Sequence, residues 1–122
     1  MGEHNKSRLR NTISRWANAE HDQARDLRRD TRRAGCTPVD NAPDRELVVV
    51  QGTLRTVTLR PLGGVPALEA ELYDGSGTLT ILWLGRRQIA GIHPGRSIKV
   101  EGRIGAHRDC RVMYNPRYEL KL

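Results

Sequence analysis

The sequence predicts a mainly β protein: a small five-stranded barrel, with a short helix between its third and fourth strands, that follows one long N-terminal α-helix. Two observations carry this prediction. Residues 68–84 alternate apolar and polar side chains on both sides of Asp74-Gly75-Ser76-Gly77, which is typical of two strands joined by a tight turn. Residues 6–34 repeat apolar side chains every three or four positions, which is typical of an amphipathic helix.

The N-terminal part, residues 1–46, is predicted to be a charged helix followed by a proline-containing linker, and residues 47–122 are predicted to be the barrel domain. The stripe of the helix consists of Leu9, Ile13, Trp16, Glu20, Ala24, Leu27, Thr31 and Ala34. Because this stripe is thin and Glu20 interrupts it, the helix needs a packing partner. Three arrangements stay open: packing on its own barrel, pairing with another protein or a second copy, or binding nucleic acid through Arg28, Arg29, Arg32 and Arg33.

The remaining strands follow from alternation on each side of the central hairpin. In the first strand the apolar positions change parity, from Val48, Val50, Gly52 and Leu54 to Val57 and Leu59. This change predicts a β-bulge near Arg55-Thr56, which lets one long strand serve both sides of a barrel. The fourth strand points Ile98, Val100, Gly102 and Ile104 inward. The last strand, residues 111–120, is interrupted by Asn115-Pro116, which indicates an edge or a strand end.

Two further predictions concern how the barrel is filled. Residues 85–92 are predicted to form the short helical turn between strands 3 and 4, with Ile89 and Ile92 plugging one end of the barrel. Trp83 shares its parity with Leu79 and Ile81, which favours a place in the core over a surface on which a base stacks.

The charge of the chain favours polyanionic partners, with nucleic acid first among them. The formal net charge is +7, and residues 47–122 carry most of the excess, with 11 Lys and Arg against 6 Asp and Glu. No apolar run is long enough to span a membrane. Since the first residues are polar and basic, we expect no secretory signal and a cytoplasmic location.

The sequence contains no convincing catalytic or metal-binding set. The four histidines lie scattered in the tail, the helix and the loops, and none has an evident orienting carboxylate. His107 and Cys110 have ligand spacing, but no second pair follows, and a zinc site needs about four ligands. Cys36 and Cys110 are expected to stay reduced. We therefore expect neither an enzyme nor a bound metal or cofactor.

Four ordered fragments of residues 47–120 resemble one group of proteins. They are Val48-x-Val50-x-Gly52; Tyr73-Asp74-Gly75-Ser76-Gly77 followed by Trp83-Leu84; Pro94-Gly95-x-x-Ile98-x-Val100-x-Gly102; and Met113-Tyr114-Asn115-Pro116-x-Tyr118. Three strands, a short helix and two strands is the order of an OB-fold. The fragments resemble the wedge OB domain of RecG-family helicases and small actinobacterial OB-fold nucleic-acid-binding proteins. The phosphate-binding loop of a helicase motor does not occur in the sequence.

The resemblance implies that single-stranded or branched DNA or RNA binds across the second and third strands, between the first-to-second and fourth-to-fifth strand loops. On this chain that surface holds Arg55, Arg60, Tyr73, Thr80, Arg86, Arg87, Arg103, His107, Arg108 and Arg111. Arginines gain affinity by displacing counterions from phosphates, and a tyrosine ring can stack on a base. Glu69 and Glu71 on the same face repel phosphate, so we expect weak, salt-sensitive binding without sequence specificity.

Two functions are therefore open. The first is a nucleic-acid-binding module that uses a basic barrel face. The second is a protein-interaction or adaptor domain that docks through the barrel or through an apolar patch of the helix, with Leu9, Ile13 and Trp16. Tyr114 and Tyr118 are interpreted as packing residues beside Pro116 rather than as part of either surface.

Overall fold

The computed structural model describes residues 19–31, 35–107 and 110–121. Residues 19–31 are helical, and a short 3-10 helix covers Val39–Asn41. The strands are β1 (Leu47–Leu59), β2 (Ala67–Tyr73), β3 (Thr78–Leu84), β4 (Ser97–His107), β5 (Cys110–Tyr114) and β6 (Arg117–Leu120). Of the long helix predicted over residues 6–34, positions 6–18 and 32–34 lie outside the described residues. Within the described part of the chain, no helix is long and apolar enough to cross a membrane.

Five strands form a closed ring in the order β1-β2-β3-β5-β4, because β4 also pairs with β1. All neighbours in this ring are antiparallel except β3 and β5, which are parallel. The register of β1 against β2 shifts between Leu54 and Thr56, so the predicted bulge is confirmed and Arg55 is the extra residue. The bulge lets β1 pair with β4 through its first half and with β2 through its second half.

The predicted last strand is one strand broken in two. Both β5 and β6 pair with β4, and Asn115-Pro116 separates them. Asn115 takes a left-handed conformation, with φ of 47°. Its backbone N–H donates to the Leu82 carbonyl at 2.7 Å, and its side-chain Oδ1 accepts from the Leu84 N–H at 2.8 Å. Although Asn115 interrupts the last strand, its hydrogen bonds therefore still pair the backbone groups at the end of β3.

The short helix predicted between strands 3 and 4 is absent, and that prediction is wrong. Residues 85–96 form a series of turns instead. Gly85 and Gly91 both take positive φ angles, 76° and 83°. The segment between these two glycines is too short to offset the free-energy cost of nucleating a helix. Ile89 and Ile92 are nevertheless buried and belong to the core, so the prediction that they plug the barrel is confirmed.

One apolar core fills the barrel, and it contains most of the apolar positions predicted for the strands. Leu59 is the exception, because it is 50% exposed at the end of β1. Trp83 is 5% exposed and belongs to this core, which confirms the core interpretation over the stacking one. The ring of Tyr118 meets the ring of Trp83 edge to face, with centroids 5.7 Å apart, so one edge of Tyr118 packs on the core while 41% of the residue stays exposed. Val39 and Ala42 of the linker also lie in the core.

The described helix packs on the barrel. Ala24 and Thr31 are its buried residues, and Thr31 Oγ1 donates to the Gln51 carbonyl at 3.3 Å. The helix contacts Gly75 in the β2–β3 turn so closely that a Cβ there would overlap the Ala24 carbonyl oxygen. Of the three open arrangements, residues 19–31 show the first.

Asp74 joins the linker to the central hairpin. Its side chain is fully buried; Oδ2 accepts from the Val39 N–H at 2.8 Å, and Oδ1 accepts from the N–H groups of Ser76 and Gly77 at 2.9 and 3.1 Å. Ser76 Oγ donates to the same oxygen and accepts from the Asp40 N–H. Asp74 thus caps the β2–β3 turn and is also the attachment point of the preceding 3-10 helix.

Candidate nucleic-acid interface

A groove lies on the outer face of β2, β3 and β5, between the β1–β2 loop and the end of the β4–β5 hairpin. Its volume is about 110 Å³, and its lining residues are Arg60, Leu62, Glu69, Thr80, Leu82, His107, Cys110 and Val112. Alternation places these strand residues outward, because Leu68, Ile81 and Met113 of the same strands point into the core. Register then brings them together, since Thr80 lies opposite both Glu71 and Val112.

The floor of the groove is apolar and its rim is polar. Leu82 and Val112 are buried there with Ala67, and Leu62 of the β1–β2 loop packs on them. Arg60, Thr80 and His107 surround this floor. An apolar floor suits the flat face of a base, and the polar rim suits phosphate and sugar. Three of the predicted residues therefore converge on one groove.

The electrostatics of the groove are mixed. Arg60 Nε lies 3.2 Å from Glu69 Oε2, and this pair is partly exposed, with 61% of the arginine side chain accessible. The Arg60 guanidinium therefore stays available to a ligand while it offsets the Glu69 charge. Glu71 lies on the same face opposite Thr80. Among the described residues no cation lies within ion-pair distance of Glu71, so its charge opposes phosphate as expected.

Arg55 and Tyr73 form a stacked pair on the same sheet face, beyond Glu71. The Arg55 guanidinium carbon lies 3.6 Å from the centroid of the Tyr73 ring. Arg55 reaches the ring because it is the bulged residue of β1, and the bulge re-aims its side chain. Tyr73 is four residues from Glu69 along β2, which is roughly 13 Å. The pair thus extends the polar face past the groove.

Of the other five predicted residues, four lie elsewhere and one is not described. Arg86 and Arg87 are exposed in the loop after β3 and do not line the groove. Arg103 points outward from β4 and donates from Nη1 to the Arg45 carbonyl at 2.8 Å. Arg108 lies outside the described residues. Arg111 points toward the linker.

Arg111 holds the linker in place. Its Nη1 donates to the Val39 carbonyl at 2.7 Å, its Nη2 donates to the Ala42 carbonyl, and its Nε and Nη2 lie 3.2 and 3.1 Å from Asp44 Oδ1. The Arg111 side chain meets the linker because it lies on the same inward face of β5 as Met113 and reaches the end of the barrel. Its hydrogen-bonding groups are therefore engaged within the chain.

Several residues near this surface are not among those predicted from the sequence. Leu82 and Val112 form its floor, and their outward parity was the only available signal. Cys110 was not predicted to lie at a binding surface, yet it is exposed at the groove, while Cys36 is buried. Tyr114, interpreted as a packing residue, is 41% exposed. In the described ranges, no group of His, Cys, Asp and Glu residues comes together that could hold a metal ion.

A solved chain from a replication protein A heterotrimer bound to single-stranded DNA is structurally similar to this protein. The TM-score is 0.51 at 11% sequence identity, and the match covers 73% of this chain and 74% of that chain. No protein-family model matches the chain. No curated protein matches it significantly either. Resemblance to the wedge domain of RecG-family helicases stays a prediction. The strand ring and the structural likeness together show that the chain has an OB fold.

Proposed function

We propose that the protein binds single-stranded nucleic acid, without sequence specificity, across the outer face of β2, β3 and β5. The observation that carries this proposal is the convergence of Arg60, Thr80 and His107 around an apolar floor. OB folds bind oligonucleotides on the face of strands 2 and 3, between the loops that flank this groove. The similar replication protein A chain belongs to a heterotrimer that was solved bound to single-stranded DNA, which supports the same ligand class here.

The strand would follow the polar face from the groove to the Arg55–Tyr73 pair. Arg60 and Arg55 each contact phosphate, and the binding free energy comes mainly from released counterions. Tyr73 offers one ring face to a base while Arg55 covers the other. Because these contacts go to phosphates and to the flat face of a base, the sequence of the ligand matters little. Branched DNA is a second ligand of this class, bound through its unpaired segment.

The test is fluorescence anisotropy with labelled single-stranded DNA, RNA and a forked duplex at two salt concentrations. The groove variant is Arg55→Gln/Arg60→Gln, and its matched control is Arg25→Gln/Arg117→Gln, which removes the same charge from exposed sites elsewhere. We expect the groove variant to bind at least about tenfold more weakly at low salt, with a log–log salt slope reduced by about two. The control should keep the wild-type slope. Equal losses in both variants would show unspecific attraction by net charge.

Cys110 provides a separate footprint of the groove. We expect a saturating oligonucleotide to slow alkylation of the Cys110 thiol by iodoacetamide, about tenfold when nine-tenths of the protein is bound. Cys36 is the internal control, because it is buried and burial raises the pKa of its thiol, so fewer thiolates are present to react. Peptide mass spectrometry measures both rates. Unchanged Cys110 reactivity under conditions where the anisotropy shows binding would place the ligand elsewhere.

The adaptor function is the second candidate. Leu59, Val65 and Leu84 are exposed apolar side chains, 50%, 46% and 41% accessible, near the β1–β2 loop. Leu9, Ile13 and Trp16, the helix patch of the sequence analysis, lie outside the described residues. If the wild-type protein binds no nucleic acid at low salt, this apolar end of the barrel is the first surface to test with protein partners.

A further inference from the structure

A second open cleft, called the Tyr114 cleft here, lies on the outer side of β1, β4 and β5. Its volume is about 510 Å³, and its lining residues are Arg45, Leu47, Gly102, Arg103, Ile104, Gly105 and Tyr114. It is mostly apolar, with Leu47 59% and Tyr114 41% exposed. None of these residues lines the groove on β2, β3 and β5.

The charge of the Tyr114 cleft differs from that of the other cavities. It is lined by two arginines and no carboxylate. Each of the other three cavities described for this part of the chain includes an acidic side chain, Glu69 in the groove among them. Glu46 follows Arg45 in the chain but does not line the cleft, and Asp44 is paired with Arg111. Two neighbouring cations without a carboxylate attract an anion.

The backbone holds Arg45 in an uncommon conformation. Arg45 has φ of 67°, in the left-handed region that non-glycine residues rarely occupy. Two hydrogen bonds fix it there: its N–H donates to the Ile104 carbonyl at 2.8 Å, and its carbonyl accepts from Arg103 Nη1 at 2.8 Å. The second bond also orients the Arg103 guanidinium. The Arg45 backbone and the Arg103 guanidinium are thereby held together, and both residues line the cleft, at the cost of local strain at Arg45.

Tyr114 and Gly105 form a surface that a flat ring can cover. For a Cβ at Gly105, the nearest atom would be the Val112 carbonyl oxygen, as far away as 4.0 Å. The space above this glycine is therefore open. Tyr114 points outward on the neighbouring strand and lines the cleft. Tyr118 is equally exposed, but it meets Trp83 edge to face and lines a different cavity, together with Glu101 and Glu119. An exposed tyrosine beside an open glycine suits the stacking of a base.

The Tyr114 cleft lies next to the groove on the outer face of the sheet. Gly105 of the cleft is the register partner of Val112 in the groove floor. Tyr114 is likewise the register partner of Leu82 across β3 and β5. A strand that lies in the groove can therefore pass over β5 without leaving the outer face of the sheet.

We infer that the Tyr114 cleft is a second subsite for the same single-stranded nucleic acid, in which Tyr114 stacks on an unpaired base and Arg45 and Arg103 bind the adjacent phosphates. This inference rests on the proposed function, because the groove supplies the first part of the strand. It predicts a contribution that appears only when the oligonucleotide is long enough to occupy both subsites.

The test is a series of labelled oligothymidylates of about 4, 8, 12 and 16 nucleotides, the range that OB folds cover. Tyr114→Leu removes the aromatic face and Tyr114→Phe keeps it; Arg45→Gly removes the charge but tolerates the left-handed backbone. We expect Tyr114→Leu and Arg45→Gly to weaken binding of the longest oligonucleotides about fivefold or more and to leave the shortest unchanged. Tyr114→Phe should bind as wild type at every length.

Each variant is first checked by its melting temperature, and Arg45→Gly should melt at or above the wild-type value because the strain is relieved. Ultraviolet crosslinking of 5-iodouracil oligonucleotides, mapped by mass spectrometry, should identify Tyr114. Wild-type affinity of Tyr114→Leu at all lengths, with loss only in Arg55→Gln/Arg60→Gln, would overturn the second subsite and leave the proposed function intact. Failure of wild type to bind any length would overturn the proposed function itself.

Discussion

Replacing Asp74 by alanine is expected to lower the free energy of unfolding by about 3–5 kcal/mol. The Asp74 carboxylate is fully buried and accepts from the backbone N–H groups of Val39, Ser76 and Gly77. Alanine leaves these donors without an acceptor, and each buried donor left unsatisfied costs about 1–3 kcal/mol. Urea unfolding followed by circular dichroism measures the loss.

Two milder variants separate the contributions of the Asp74 site. Asp74→Asn keeps the Oδ1 acceptor but turns an amide group toward the Val39 N–H, so we expect an intermediate loss. Ser76→Ala removes only the hydroxyl bonds and should cost about 1 kcal/mol. Faster alkylation of Cys36 in Asp74→Ala would show that the linker has loosened. An unfolding midpoint equal to wild type would contradict the role of Asp74 as the attachment point.

Replacing Gly52 by alanine is expected to destabilise the barrel by about 2–4 kcal/mol. A Cβ at Gly52 would overlap the Tyr73 carbonyl oxygen and lie 2.9 Å from Leu72 Cδ2. The oxygen belongs to the backbone and cannot rotate away. Gly52 pairs with Ile98 of β4, and the next residue, Thr53, pairs with both β4 and β2, so the strain falls where β1 passes between its two partners.

Gly105→Ala is the matched control, because Gly105 is also a strand glycine but a Cβ there has open space. We expect its stability to stay within about 0.5 kcal/mol of wild type, with a small gain from the less flexible unfolded chain. Thermal unfolding of both variants in the same buffer gives the comparison. Similar losses in the two variants would show that general strand propensity, rather than the close approach to Tyr73, determines the effect.

The attachment of the linker shows that an arginine of the predicted surface also serves the fold. Arg111 bonds to two linker carbonyls and to Asp44, so its hydrogen-bonding capacity serves the fold. A strongly basic sequence does not reveal which arginines are used in this way. Arg60 is also paired, with Glu69, but its side chain remains mostly accessible at the groove. Burial and partners, rather than residue type, distinguish the two.

The sequence by itself determined the strands, the bulge at Arg55 and the core. Side chains alternate along a strand, so the apolar positions of 47–120 carry their own orientation, and the parity change in β1 marked the bulge. The turn at Asp74-Gly75-Ser76-Gly77 was likewise predictable, because four adjacent residues specify it. The helix expected over 85–92 failed because two glycines with positive φ bracket a segment too short to nucleate one.

Only the tertiary structure decided which outward residues meet. The groove combines the β1–β2 loop, β2, β3 and β5, and the parallel pairing of β3 with β5 depends on ring closure between strands far apart in sequence. The same closure brings Arg45 beside Arg103 and exposes Tyr114, although the sequence favoured packing for that ring. Alternation specifies the face of the sheet on which a side chain lies, whereas long-range register specifies which side chains of other strands lie beside it. A binding surface is formed by side chains from several strands, so it depends on that register.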